Sequence, residues 1–326
     1  MESKVRKIGV LTSGGDAQGM NAAIRAVVRR ALGMGIEVVG IRRGFSGLLH
    51  EEFMDLEPSS VSNIIQQGGT VLYTARCLEM LELEYQKKAA DICRAHGIEG
   101  LVVIGGDGSF MGAHTLSKQG INVVGVPGTI DRDIACTDYT IGFDSAVNVV
   151  YDAVCKLRDT SESHERCSVV EVMGRHCGEI AIWSGIATGA DYVIIPEVPE
   201  SNDFDKIVED ILANRAKGKM HNIIIVAEGV EGSRDLAKRI QEATGIDSRY
   251  TVLGHIQRGG RPTVRDVKHA SMMGAYAVEL LASGADNRVV AYVDSKYVDF
   301  DINEALAMKK KPSLDVWQTN INISTY

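Results

Sequence analysis

The sequence contains no C-x-x-C pair, no H-E-x-x-H pattern and no apolar run long enough to span a membrane. Its six cysteines, Cys77, Cys93, Cys136, Cys155, Cys167 and Cys177, are dispersed and have no histidines beside them at metal-ligand spacing. Neither a zinc site nor a disulfide framework is favoured. The apolar stretch that follows MESKVRK is too short for a signal-peptide core, so nothing directs export and a reducing cytoplasm is the expected compartment. A net charge of −8, from 35 basic and 43 acidic residues, gives no global attraction to nucleic acid or anionic lipid. Neither is expected as a partner, and any anionic ligand must be met by a local pocket. Internal repeats, low-complexity segments and Pro/Gly-rich linkers are also missing, so composition marks no domain boundary.

What is present is ordinary globular composition, 45% hydrophobic and 24% charged, in a chain of 326 residues, a length that favours two domains. Short β-branched runs recur with helical stretches between them: KIGVLT, EVVGI, LVVIGG, NVVGV, SVVEVM, YVIIPEV, IIIVAE, TVLGH and VVAYV. The alternation reads as α/β with mainly parallel sheet, and the continuous apolar runs suit strands covered on both faces. Apolar residues at three- and four-residue spacing predict helices over 20–32, 109–117, 145–157, 177–187, 203–216, 233–243 and 264–281. A break is placed near Ile141–Gly142, with the two halves interleaved.

Three strand ends carry candidate chemistry. In IGVLTSGGDAQGMNAA a strand ends at Thr12, turns at Ser13–Gly14–Gly15 and enters a helix near Met20. Bare amides at a helix N-terminus suit an anion. The segment is neither G-x-G-x-x-G nor Walker A, since Met20–Asn21 stand where Lys-Ser/Thr is required. A βα turn that simply needs glycine for positive φ accounts for it equally well. In LVVIGGDGSFMGAHTL an acid, Asp107, lies in the glycine turn, where a carboxylate can hold a Mg²⁺ that bridges nucleotide phosphates. Asp107 can also be an Asx-turn residue, and Ser109 a helix N-cap. In NVVGVPGTIDRDI the strand exits through Pro127–Gly128 into Thr129–Ile130–Asp131–Arg132–Asp133. Two carboxylates at i, i+2 of an extended loop project to one side, one suited to accept a proton and the other to organise metal or loop. A solvated polar loop is the commoner fate of D-x-D. Ligands of open α/β sheets bind outside the carboxyl ends of the strands, where all three loops are expected to converge.

Taken in order, GVLTSGGDAQGMNAAIR, VVIGGDGSFMGA, GVPGTIDRDI, SVVEVMGRHCGEIA and TVLGHIQRGG resemble the bacterial ATP-dependent 6-phosphofructokinases. The resemblance runs from Ile8 to about Gly274. Five ordered motifs are far more specific than any one alone. It implies phosphoryl transfer from Mg-ATP to the 1-hydroxyl of fructose 6-phosphate, the committed step of glycolysis. It also implies two similar three-layer α/β domains with an active-site cleft between them, approximately 1–141 plus 256–306 for ATP and 142–255 plus 307–326 for the sugar phosphate.

By the same resemblance Gly15, Arg76, Cys77, Gly106, Asp107, Gly108 and Ser109 line the ATP site, with Asp107 on Mg²⁺. Asp131 matches the base that receives the hydroxyl proton. Arg76 and Arg175 would offset transition-state charge, with Thr129 beside them. Thr129, Ile130, Met173, Gly174, Glu228, His255, Ile256 and Gln257 match sugar-binding positions, and Arg166, Arg175, Arg249 and Arg258 match phosphate-holding arginines. Counterparts of Arg166 and Arg249 reach the substrate of a neighbouring subunit, which implies a homo-oligomer, expected to be a tetramer. An effector site for ADP or phosphoenolpyruvate would use Arg25, Arg29, Arg158, Gly189, Asp191, Lys217, Lys219 and His221.

Several positions depart from the family pattern. Arg132 replaces a usual Asn, and a cation between two acids can compete with Mg²⁺ or turn outward. Gln18 replaces a proline and is expected to loosen its turn. Pro58 stands where relatives carry an effector-binding arginine, and Asn63 where they often have Asp, so weakened regulation is expected. Gly108 and Gly128 stand where pyrophosphate-using relatives carry Asp and Lys. A pyrophosphate-dependent kinase is thus the less favoured alternative. A non-catalytic sugar-phosphate or nucleotide sensor is opposed by retention of Asp107, Asp131, Arg76, Arg175 and Glu228 together. An NAD-dependent oxidoreductase lacks its fingerprint.

Overall fold

The computed structural model describes residues 3–324. The chain divides into two compact units: one holds the chain up to Ile130, then Ile134–Asp144 and Arg258–Lys310, and the other holds Asp131–Asp133, Ser145–Gln257 and the chain from Lys311 onward.

The first unit contains β1 (Lys7–Thr12), β2 (Glu37–Ile41), β3 (Phe53–Asp55), β4 (Gly100–Gly105), β5 (Asn122–Thr129) and the two-residue β6 (Ile141–Gly142). The second contains β7 (Cys167–Val172), β8 (Tyr192–Ile194), β9 (Asn222–Ala227) and β10 (Ser248–Val252), after which the chain returns to the first for β11 (Arg288–Val293) and β12 (Lys296–Asp301). Along the first sheet the strand order is β12-β11-β5-β4-β1-β2-β3, with β6 beside β5. Its centre is parallel, and only β3 and β12 pair antiparallel, one at each edge. The second sheet, β10-β7-β9-β8, is wholly parallel.

The helices are α1 (Met20–Gly33), α2 (Gly44–Leu49), α3 (Leu83–Ala95), α4 (Asp107–Ser117), α5 (Phe143–Ser163), α6 (Glu179–Thr188), α7 (Phe204–Ala216), α8 (Leu236–Thr244), α9 (Val264–Ala282), α10 (Ile302–Ala307) and α11 (Leu314–Ile323). Central strands such as β4 are buried along their whole length, as continuous apolar runs require. Leu11, Leu101, Val103 and Val123 pack with Phe110 and Leu116 of α4 in the first unit. Val169, Ile194, Ile224 and Val226 pack with Ile207, Ile211 and Ile240 in the second. Thr263 caps α9 by accepting from the Asp266 amide at 3.2 Å, and Asp301 caps α10 by accepting from the Asn303 amide at 2.8 Å.

Every apolar run named from the sequence contributes a strand, but two are shorter than their apolarity suggests. β8 stops at Ile194, before Pro196. TVLGH divides at Val252, with Gly254–Arg258 forming a 3₁₀ turn. Strands β3, β6 and β12 and helices α2, α3, α10 and α11 lie outside the elements expected from the sequence. α3 begins LEYQKK, and its charged positions dilute the apolar stripe.

Candidate active site

Strand order brings three loops together. β5, β4 and β1 are parallel neighbours, with Thr12 opposite Ile104 and Gly105 opposite Pro127, so their carboxyl ends lie side by side. The chain leaves β1 for β2 on one side and later leaves β4 for β5 on the other, which makes the β1/β4 boundary a topological switch point. The Ser13 amide donates to the Ile104 carbonyl at 2.9 Å and links the first two loops directly. Gly14 takes φ +86°, a left-handed conformation open to glycine, and it and Gly15 are exposed.

Asp107 is not in a turn. It is the first residue of α4, exposed at the helix N-terminus, with Gly106 before it, and Ser109 lies inside the helix rather than capping it. Its placement at the positive end of the helix dipole favours a carboxylate or a phosphate at that point. Gly108 is open, with nothing within 4 Å of where a Cβ would stand.

Arg76 and Cys77 follow a segment tied to the first loop. Thr74 Oγ1 donates to the Gly14 carbonyl at 2.6 Å, and Thr12 Oγ1 donates to the Tyr73 carbonyl at 2.8 Å. Neither contact is legible in the sequence, because Tyr73 and Thr74 lie about sixty residues from the first loop and carry no motif. Arg258 Nη1 donates to the Asp16 carbonyl at 2.8 Å, which draws its guanidinium to the first loop. Gln18 does not loosen that loop: fully buried, it donates from Nε2 to the Gly259 carbonyl at 2.8 Å and anchors it. Thr129 ends β5, half-buried, and Ile130 is wholly buried behind it.

In the second unit Asp131 is buried to 8% exposure. The loop is not extended, because Arg132 has φ +53°, and the simple same-side argument for Asp131 and Asp133 does not apply. Arg132 does not turn outward either. Its Nη1 donates to Glu179 Oε2 at 2.7 Å and to Ser313 Oγ at 3.2 Å.

Arg175 and Glu228 meet, the Arg175 amide donating to Glu228 Oε1 at 2.9 Å. Both line a cavity of about 510 Å³ together with Glu171, His176, Ser233 and Arg234. Glu171 and His176 fall inside SVVEVMGRHCGEIA without a role of their own there, whereas Ser233 and Arg234 stand in no motif. Gln257, buried, accepts from the Met173 amide at 3.2 Å and holds the Met173–Gly174 turn, while His255 and Ile256 are exposed. Arg166 and Arg249 converge on one carboxylate, Asp247, at 2.5 and 3.0 Å. Elsewhere in this unit Arg158 donates to the Thr188 and Gly189 carbonyls at 2.5 and 3.1 Å. Asp191 pairs with Lys219 and accepts from the Ile223 amide at 2.8 Å. Lys217 and His221 lie on the same connection as Lys219, and on α1 Arg29 approaches the Pro58 carbonyl at 3.5 Å, one turn after the half-buried Arg25.

A sheet with its switch point beside glycine amides and a helix-terminal aspartate, and a second α/β unit bearing clustered arginines, define a phosphate-handling α/β protein. The family model described as phosphofructokinase matches residues 7–281. ATP-dependent 6-phosphofructokinase 1 of Clostridium perfringens is 57% identical over 306 residues, 94% of this chain and 95% of that protein. ATP-dependent 6-phosphofructokinase of Clostridium botulinum is 59% identical over the same shares. Among solved structures, phosphofructokinase from Saccharomyces cerevisiae superposes with a TM-score of 0.92 at 32% identity, over 98% of this chain and 50% of that longer one. The chain belongs to the phosphofructokinase family. No helix among the described residues is long and apolar enough to cross a membrane.

Proposed function

We infer that the chain is an ATP-dependent 6-phosphofructokinase: it transfers the γ-phosphoryl group of ATP to the 1-hydroxyl of D-fructose 6-phosphate, giving fructose 1,6-bisphosphate and ADP. The observation that carries this reading is identity of 57–59% across 94% of the chain with proteins bearing that name. Two positions support ATP over pyrophosphate. Gly108 has open space around it, so the missing carboxylate there is not forced by packing, and Gly128 is enclosed by Ile104 and Met20 side-chain atoms 3.1 Å from a would-be Cβ, a poor place for lysine.

We assign nucleotide binding to the first unit through Gly15, Arg76, Cys77 and Gly106–Ser109. Sugar-phosphate binding is assigned to Asp131, Met173–Arg175, Glu228, Arg166, Arg249, His255–Gln257, Thr129, Ile130 and Arg258. Asp131 accepts the proton of the attacking hydroxyl. A carboxylate is a far weaker base than a sugar alkoxide and cannot ionise the hydroxyl in advance, so the transfer is late and coupled to P–O bond formation. Arg76 and Arg175 offset charge on the transferring phosphoryl oxygens with planar, permanently charged groups.

Mg²⁺ fits the residues present. Among the described residues no three His, Cys, Asp or Glu are grouped to form a protein cage, whereas a single exposed carboxylate beside glycine amides suits an ion that keeps waters and substrate phosphates as its other ligands. Asp107 is the residue that would hold it, and the ion would supply charge neutralisation at the nucleotide phosphates.

Arg166 and Arg249 are assigned to the substrate of a neighbouring subunit in a homotetramer. Exposed apolar residues, Val264 at 88%, Ile256 at 58% and Val252 at 54%, are consistent with surface covered by other copies. Arg25, Arg29, Arg158, Gly189, Asp191, Lys217, Lys219 and His221 are assigned to an effector such as ADP or phosphoenolpyruvate. A cytoplasmic location follows from the glycolytic role.

The test is fructose 1,6-bisphosphate formation from fructose 6-phosphate with Mg-ATP and, separately, with Mg-pyrophosphate. Product with ATP alone is expected. Product with pyrophosphate alone overturns the donor assignment, and none with either overturns the activity.

A further inference from the structure

The loop that carries Asp131 holds a cation for which proton transfer has no use. Arg132 occupies the left-handed region at φ +53°, where a long side chain is unusual and needs support from its surroundings. Its guanidinium is 16% exposed and donates to Glu179, whose side chain is wholly buried at the start of α6. The same guanidinium lies over the Trp183 ring, 4.9 Å from its centroid, on the next turn of that helix. Glu179 is a junction: Oε1 accepts from the Ser313 amide at 2.7 Å, and Oε2 accepts from Ser313 Oγ at 2.9 Å as well as from Arg132. Ser313 immediately precedes α11, which is itself docked through Trp317 Nε1 to the Val193 carbonyl at 2.9 Å and Asn320 Nδ2 to the Ala190 carbonyl at 3.2 Å.

We propose that Arg132, Glu179 and Ser313 form a clasp by which the segment leading into α11 fixes the loop of the proton acceptor, so that Arg132, Glu179 and Ser313 are positioning residues for Asp131. The inference rests on the reading of Asp131 as that acceptor. Three segments far apart in sequence meet at one buried carboxylate, and two of its three donors come from Ser313. A buried charge with all its donors in place is rigid, and breaking one member leaves the others poorly satisfied. Asp131 is the residue next to the clasped one, so rotation at Arg132 redirects its carboxylate. Small displacements of an acceptor reduce turnover far more than they reduce substrate affinity.

The experiment measures kcat and KM for both substrates, with thermal midpoints, on the full chain and four variants. Arg132→Met is expected to lower kcat at least tenfold with both KM values within threefold. Arg132→Lys, which keeps the ion pair, should recover most of that loss. Ser313→Ala should lower kcat severalfold in the same pattern. Arg132→Met combined with Glu179→Met removes both charges, so its thermal midpoint should return toward the parent's while kcat stays low. That separation of turnover from stability is what a merely structural ion pair does not produce. Parental kcat in the double variant, or unchanged kcat in both Arg132→Met and Ser313→Ala, overturns the clasp. If Arg132→Met fails to fold, the double variant and Ser313→Ala decide. A parent inactive with Mg-ATP overturns the functional reading and the clasp with it, whereas an active parent with unaffected variants overturns the clasp alone.

Discussion

Arg166 Nε donates to Asp247 Oδ2 at 2.5 Å, and Arg249 Nη2 pairs with the other oxygen of the same carboxylate at 3.0 Å. Two guanidinium groups assigned to one phosphate are thus oriented before any phosphate arrives. Asp247 is about one-third exposed and Arg249 more so, which keeps the worth of these pairs to about 0.5–1 kcal/mol. Asp247→Ala should therefore leave the unfolding midpoint nearly unchanged and raise KM for fructose 6-phosphate by about two- to fivefold, with kcat preserved. Saturation curves at two salt concentrations check this. A lower KM would mean that Asp247 competes with the substrate phosphate instead of orienting its ligands.

Asp131→Ser is expected to lower kcat by about 10²–10⁴-fold, the usual contribution of a positioned base, while fructose 6-phosphate binding stays nearly intact. The arginines assigned to the phosphate are untouched by the substitution. Equilibrium binding and single-turnover rates on the same preparation separate the two effects, and near-normal turnover would remove Asp131 from the role given to it.

Local pattern made the strands at the candidate site legible, and neighbourhood made the rest illegible. β1, β4 and β5 are continuous apolar runs with glycine or proline at or close to their carboxyl ends, which are therefore readable directly from the sequence. G-G-D-G has no helix periodicity and reads as a turn, yet the helix starts on Asp107. Sequence sets Arg132 between two adjacent acids, whereas Glu179 and Ser313, to which it donates, lie 47 and 181 residues away. Gln18 was judged by backbone freedom, whereas its side chain reaches Gly259 across 241 residues. Long-range polar partners leave no periodic trace in a sequence, which accounts for Arg132 and Gln18, whereas the helix start at Asp107 is a local boundary that G-G-D-G does not mark.

His269 gives the first unit a pH dependence with a definite sign. It is 3% exposed, with Tyr139 stacked on its ring at 4.1 Å and Tyr297 Oη 3.0 Å from its Nδ1. Burial first, then the Lys268 and Arg265 charges, push its pKa down to about 4, while Asp144 opposes them. The folded state therefore binds fewer protons than the unfolded chain between about pH 6.5 and 4. Stability from the neutral ring is complete above the upper value and is lost as pH falls toward the lower one. Between pH 7 and pH 5 the loss is about 2 kcal/mol. Urea unfolding at pH 7 and pH 5 should show a decrease in the parent that His269→Gln reduces. An equal decrease in that variant would assign the effect to other groups.

Pro58 bears on regulation. In the effector site proposed above, basic groups would hold an anionic ligand, and Arg29 approaches the carbonyl of Pro58, the position at which the family resemblance leads one to expect an arginine. Proline has neither a cation nor a backbone donor to offer. Loss of one charge-assisted phosphate contact costs about 1.5–3 kcal/mol, roughly 10- to 150-fold in effector affinity. Coupling is reciprocal, so weaker differential binding of effector also means a smaller shift in substrate affinity. Fructose 6-phosphate saturation should move little with micromolar ADP or phosphoenolpyruvate and only modestly at millimolar concentrations, and Pro58→Arg should enlarge the shift. A strong displacement of the midpoint at micromolar effector in the parent would show that the remaining cations, among them Arg158 and Lys219, suffice without it.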